Sequence, residues 1–134
     1  MSESEWHWVA ESVVYAIHDE QIAEHGGLAG LRDQALLLSA LARPQQLEAY
    51  GDNPDIAALA AAYAVGVARN HPFLDGNKRT AVVVVLALLA QTGLILAADD
   101  ASVEERVLAV ADRRASLTDL TAWFRQSIRA TPCP

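Results

Sequence analysis

Asn77-Lys78-Arg79-Thr80-Ala81-Val82-Val83-Val84-Val85-Leu86-Ala87-Leu88-Leu89-Ala90-Gln91-Thr92-Gly93 is the stretch that sets the fold class. Its four consecutive valines, Val82 to Val85, favour a strand by local propensity, because β-branched side chains lose χ1 freedom in a helix. The apolar run continues, however, through Leu86-Ala87-Leu88-Leu89-Ala90 to a glycine stop. A run of that length predicts a helix over about 77–92, and one apolar on every side belongs at the centre of a bundle. The segment Ala81 to Ala90 has about half the length needed to cross a bilayer, so it is expected to be buried in protein rather than lipid. The predicted class is all-α.

Helical periods dominate the rest of the chain. Trp6, Val9, Val13 and Ile17 recur on one face of a first helix, capped by Ser2 or Ser4, that runs to about His25 and stops at Gly26-Gly27. A loop over 27–32 leads to a second short helix from Asp33 to Ala42, ended by Pro44. Residues 43–53 read as a polar connection. Asn53-Pro54-Asp55 then signals a start: a capping side chain, proline at the first helical position, and an acid in the first turn. The helix it opens carries Ile56, Leu59, Ala60, Tyr63 and Val67 on one face and ends near Asn70, because Pro72 disfavours helical geometry at His71. Two more helices follow Gly93, one bearing Val103, Val107 and Val110, the last bearing Leu117, Leu120, Phe124 and Ile128. With no repeat, low-complexity tract or dividing linker, residues 1–134 read as a single domain.

Bulk composition narrows the function classes. The chain has 134 residues, 52% of them apolar, and so is long enough to bury a core without disulfides or a structural metal. Its one cysteine, Cys133, has no partner, which is the usage of a reducing compartment. No basic leader opens the sequence, and the cytoplasm is the expected location, with no membrane partner. Seventeen acidic residues against ten basic ones give a net charge of −7, a field that repels a phosphate backbone and argues against nucleic acid as the main partner. A protein so charged must concentrate its cations locally to hold any polyphosphate.

That concentration occurs in His71-Pro72-Phe73-Leu74-Asp75-Gly76-Asn77-Lys78-Arg79-Thr80. Lys78 and Arg79 fall in the first turn of the central helix, where the backbone dipole is already positive and two unanswered cations cost about 0.3 to 1 kcal/mol each. An external anion resolves the cost. Free amide N–H groups, the Asn77 side chain, the Lys78 point charge and the Arg79 fork would converge on a phosphate, and Gly76 would let the backbone approach it. Upstream, His71 supplies an imidazole, a group able to take a proton from an attacking hydroxyl near neutral pH. Asp75 supplies hard oxygen ligands suited to Mg²⁺, and Phe73 between them reads as a core anchor. Base, metal ligand and phosphate cradle within nine residues are the parts of phosphoryl or nucleotidyl transfer. The loop is not a Walker A motif, because Asn77 separates Gly76 from Lys78 and His71 stands where the first glycine belongs.

His71 to Arg79 resembles the signature of the Fic/Doc (Fido-domain) superfamily, His-Pro-Phe-x-Asp/Glu-Gly-Asn-Gly/Lys-Arg. Ile17-His18-Asp19 and His25-Gly26-Gly27-Leu28-x-Gly30-Leu31-Arg32-Asp33 are similar to the amino-terminal half of Doc (death-on-curing) toxins. The resemblance implies a compact helical bundle, with ATP as co-substrate and Mg²⁺ as cofactor. By position it implies His71 as general base, Asp75 as the Mg²⁺ ligand, Gly76, Asn77 and Lys78 as an anion hole, and Arg79 as the grip on a terminal phosphate. It also implies a phosphate role for Arg69 and, over 43–53, a flap that holds the target segment extended. Lys78 is Doc-like, whereas Pro72 and Gly76 are Fic-like. Phosphate transfer to a protein hydroxyl, on elongation factor Tu in the family, is the favoured expectation; AMP transfer and an inactive, partner-binding domain are the alternatives. No Ser/Thr-x-x-x-Glu-Gly/Asn inhibitory helix is present, so control is expected from a separate antitoxin protein.

Other conspicuous residues have plainer expectations. His18 reads as a buried hydrogen-bonding residue, His7 and His25 as surface or capping groups, and Trp6, Trp8 and Trp123 as packing. The pairs Glu104-Glu105 and Arg113-Arg114 read as solvated helix faces.

Overall fold

A computed structural model describes residues 8–51 and 53–131. In chain order they form α1 (Glu11–His25), α2 (Gln34–Tyr50), α3 (Ile56–Asn70), α4 (Asn77–Gln91), β1 (Leu94–Leu96), α5 (Asp100–Ala111), α6 (Leu117–Ser127) and β2 (Ile128–Ala130). The class is all-α, with one two-stranded antiparallel ribbon. Among the described residues no helix is long and apolar enough to cross a membrane. Trp6, Ser2, Ser4, His7 and Cys133 lie outside the described residues.

The helix expected from the valine run is present as α4, with Ala81, Val82, Val84, Val85, Leu88 and Leu89 buried. It is not the most enclosed element. Val83, Leu86 and Ala87 are only partly buried, whereas α3 buries every residue from Leu59 to Ala68 and packs against α2, α4, α5 and α6. The reason is size: Ala57, Ala60, Ala61, Ala62, Ala64, Gly66 and Ala68 make α3 thin enough for neighbours to surround it.

Pro44 does not end the second helix. α2 runs on to Tyr50 with Pro44 buried inside it, so most of the expected flap over 43–53 is helix, and the connection shortens to 51–55. A proline inside a helix deprives the carbonyl four residues earlier, here Ala40, of its donor. That carbonyl faces Gly66 of α3, where an added Cβ would lie 3.2 Å from Ala40 O, Cα and Cβ. Close packing of α2 on α3 therefore overrides the local stop signal.

Three boundaries also shift. α1 begins at Glu11, and its buried stripe is Val14, Ile17 and His18, while Val13 is 38% exposed. Val9 lies in the extended segment before the helix and donates its N–H to the buried Tyr63 hydroxyl at 3.0 Å. α3 is capped by Asp55, which accepts from Ala58 N–H at 3.0 Å, whereas Asn53 takes a left-handed conformation outside the helix. Ile128 leaves the last helix and pairs with Leu96 in the ribbon, while Leu120 and Phe124 are buried as expected.

Candidate functional site

The site is the loop 71–76 between α3 and α4. α3 stops at Asn70, and His71 takes the left-handed conformation (φ 51°, ψ 56°) that is uncommon outside glycine. Arg32 holds this turn. Its Nε donates to His71 O at 2.7 Å and its Nη2 to Asn70 O at 2.9 Å, so a guanidinium fork satisfies two carbonyls at the helix end. The Arg32 and Asp33 amides both donate to Pro72 O, at 2.7 and 3.0 Å, and Leu74 N–H donates to Gly30 O at 3.1 Å. The loop before α2 is thus laced onto the site loop strand-fashion, with Leu31 bridging Phe73.

Beneath the loop lies His18, 1% exposed. Its ring stacks on Phe73 at 3.8 Å and 7°. Its Nε2 is 2.7 Å from Asp75 O; because a carbonyl only accepts, that nitrogen carries the proton. Phe73 is 2% exposed and anchors the loop as expected. Asn77 was expected to turn its side chain toward a phosphate, but that amide is committed elsewhere. It accepts from Phe73 N–H through Oδ1 and donates to Phe73 O through Nδ2, both at 3.0 Å, and is 7% exposed. What Asn77 offers an anion is its backbone amide.

The exposed carboxylate of Asp75 accepts from Gly76 N–H at 2.9 Å and from Leu28 N–H at 3.2 Å. Gly27 must be glycine there: its φ is +118° and a Cβ would sit 2.7 Å from Asp75 Oδ2. Two of about four acceptor positions on the carboxylate remain open. Among the described residues no group of three His, Cys, Asp or Glu side chains could hold a metal ion. A site with one carboxylate fits Mg²⁺ shared with phosphate oxygens and water, and not an all-protein metal cage.

At the start of α4, Gly76 (φ 75°) occupies the capping position and no side chain caps the helix. The amides of Asn77, Lys78 and Arg79 precede the first helical bond, Thr80 N–H to Gly76 O at 3.0 Å. Among the described residues neither Lys78 nor Arg79 has a carboxylate within 4.0 Å. A cavity of about 370 Å³ is lined by His71, Leu74, Asp75, Gly76, Asn77, Lys78, Arg79 and Glu104. The imidazole, the carboxylate, both cations and the uncapped helix end therefore face one space. Preorganised positive charge and amide donors of this kind bind polyphosphate and stabilise charge that develops on it.

Arg69 is not part of this site. Its Nη2 donates to Val110 O of α5 at 2.7 Å, and the side chain lines a different cavity. The cause is helical geometry: at about 100° per residue, two positions before His71 lies roughly 200° around α3. Three contributors were missed. His18 was expected to be a buried hydrogen-bonding residue, but its role as the support of Asp75 was not foreseen. Arg32 was recognised only as part of a similar segment. Glu104 was expected to be a solvated face, yet it is half-buried and helps line the cavity. Period alone could have flagged it, since Glu104 adjoins the buried Val103 and Val107.

A model of the Fic/DOC family matches residues 8–89. The protein kinase doc of Escherichia phage P1 is 35% identical over 86 residues, which are 64% of this chain and 68% of the phage protein. The toxin Doc of Mycolicibacterium smegmatis is 44% identical over 78 residues, 55% of this chain and 58% of that protein.

Proposed function

The chain belongs to the Fic/DOC family, and from that premise we propose that it is a Doc-like toxin that transfers phosphate from ATP to a serine or threonine hydroxyl of another protein. The observation that carries the reading is the shared cavity of His71, Asp75, Lys78, Arg79 and the uncapped end of α4. The β- and γ-phosphates would lie against the Gly76 to Arg79 amides, with Lys78 and Arg79 answering their charge. His71 would take the proton of the attacking hydroxyl as the new O–P bond forms and the bond from the γ-phosphorus to its bridging oxygen breaks, releasing ADP. Bound through Asp75 and the phosphates, Mg²⁺ would neutralise charge on them. By family resemblance the target is a translation factor, elongation factor Tu, and an antitoxin protein would control the activity. A phage relative that bears the name of a protein kinase, together with Lys78, supports phosphate as the transferred group.

Pro72 and Gly76 favour a second reading, AMP transfer, in which the hydroxyl attacks the α-phosphorus and pyrophosphate leaves. Incubation with cell lysate and ATP labelled separately at the α and γ positions separates the two. Label from γ-ATP on protein is the expected result. Label from α-ATP alone would establish AMP transfer, and no label would leave a partner-binding domain. His71→Ala should abolish labelling while ATP binding by calorimetry and the helical circular dichroism persist; unchanged labelling would sink the mechanism.

A further inference from the structure

A second cavity, about 410 Å³, lies between the C-terminal half of α2, the middle of α3 and the start of α6, and shares no lining residue with the His71 cavity. Its floor is hydrocarbon, contributed by Leu47, Ala62, Val65 and Leu117. Apolar surface is left facing water there: Tyr50 at the rim is 89% exposed and Leu117 43%. Arg43 and Arg69 line the same cavity. Arg113 is close by: its backbone N–H donates at 3.0 Å to Val110 O, the carbonyl that also accepts from Arg69, and burial first, then the charges of Arg113 and Arg43, lower the pKa of Arg69. Among the described residues none of these three guanidiniums has a carboxylate within 4.0 Å. Nη2 of Arg69 is bonded to Val110 O, but its Nε is shielded from solvent and, among the described residues, has no partner.

Two like charges thus line an apolar floor with a third close by, and among the described residues none has a carboxylate within 4.0 Å, in a chain whose net charge is −7. We propose that this cavity docks a segment of another protein in which a carboxylate stands beside an apolar side chain. A phosphate group alone would answer the guanidiniums but leave the hydrocarbon floor wet; a purely apolar segment would do the reverse and strand the buried Arg69 Nε. A peptide with Glu or Asp next to Leu or Phe satisfies both, with the apolar side chain over Val65 and Leu117 and the carboxylate on the guanidinium fork. The proposal does not depend on the transfer reaction at His71.

The test is titration of the isotope-labelled full chain, followed by NMR, with acetylated and amidated hexapeptides. One set carries a central Leu or Phe flanked by Glu; the other has Gln in place of each Glu. The Glu peptides should shift Tyr50, Val65 and Leu117, and the Gln peptides should bind about tenfold more weakly. The double variant Arg43→Gln/Arg113→Gln should keep the wild-type melting temperature and lose about the same factor for the Glu peptides. Equal affinity for both sets, undiminished binding by the double variant, or shifts confined to the His71 cavity would overturn the proposal. So would resonances that inorganic phosphate saturates while the Glu peptides leave them unmoved.

Discussion

Two side chains that do not face the cavity hold its chemistry in place. Arg32 keeps His71 in its left-handed turn through two carbonyl contacts. If that turn aims the imidazole, Arg32→Ala should lower kcat by about 10- to 100-fold, the scale of a misplaced catalytic group, with KM for ATP little changed. Arg32→Lys, which can reach one carbonyl, should restore part of the rate. A wild-type kcat in Arg32→Ala would show that the turn holds without the fork. Asn77 closes a two-bond ring with the buried backbone of Phe73. Asn77→Ala should therefore cost on the order of 2–6 kcal/mol in urea unfolding, because two buried backbone groups lose their partners at about 1–3 kcal/mol each. A loss under about 1 kcal/mol would mean that water replaces the side chain. That His71, Asp75, Lys78 and Arg79 share one cavity was legible in the sequence because they fall within nine residues at one helix end. The Asn77 ring and the Arg69 displacement were not, since both depend on which way a side chain points.

Among the elements, α3 and α4 set the site: one ends and the other begins at the loop, and each is pinned by its packing. Gly66 allows α2 to lie close on α3 at Ala40. Gly66→Ala gains about 1 kcal/mol of helix propensity but forces a Cβ against the backbone of a packed helix, which costs about 1–3 kcal/mol. The atoms it meets, Ala40 Cα, Cβ and O, cannot swing aside, so net destabilisation is expected in thermal unfolding. A raised melting temperature would show that α2 can retreat. The same contact explains why Pro44 misled. A proline stop is a local rule, and residues 43–50 remain helical because Pro44 is buried and Leu47 packs against the core.

For the whole molecule, one charged contact joins distant elements: Arg125 of α6 reaches Asp55, the cap of α3, with Nε to Oδ2 at 2.7 Å and Nη2 to Oδ1 at 3.1 Å. The Arg125 hydrogen bond first, then the Ala58 amide and the Arg125 charge, hold the Asp55 carboxyl below its usual 3.8, against a smaller opposing effect of burial. A carboxylate with a lowered folded pKa stabilises the fold above its unfolded value and loses that contribution as pH falls through the folded one. Wild type should accordingly melt above Arg125→Gln at about pH 6, and the gap should close as the pH falls below the ordinary carboxylate range; a constant gap would assign the contact no electrostatic role. The pair is solvent-exposed, so the gap should be small. Read alone, the chain determines the helical class, the last residue of α3, the span of α4 and the motif, because hydrophobic period, proline and glycine act within a few residues. Only packing could settle that α3 is the enclosed helix, that α2 runs through its proline, that Arg69 faces away from His71, and that His18, Arg32 and Glu104 join the site. Those outcomes depend on contacts between residues far apart in the chain, which no local pattern encodes.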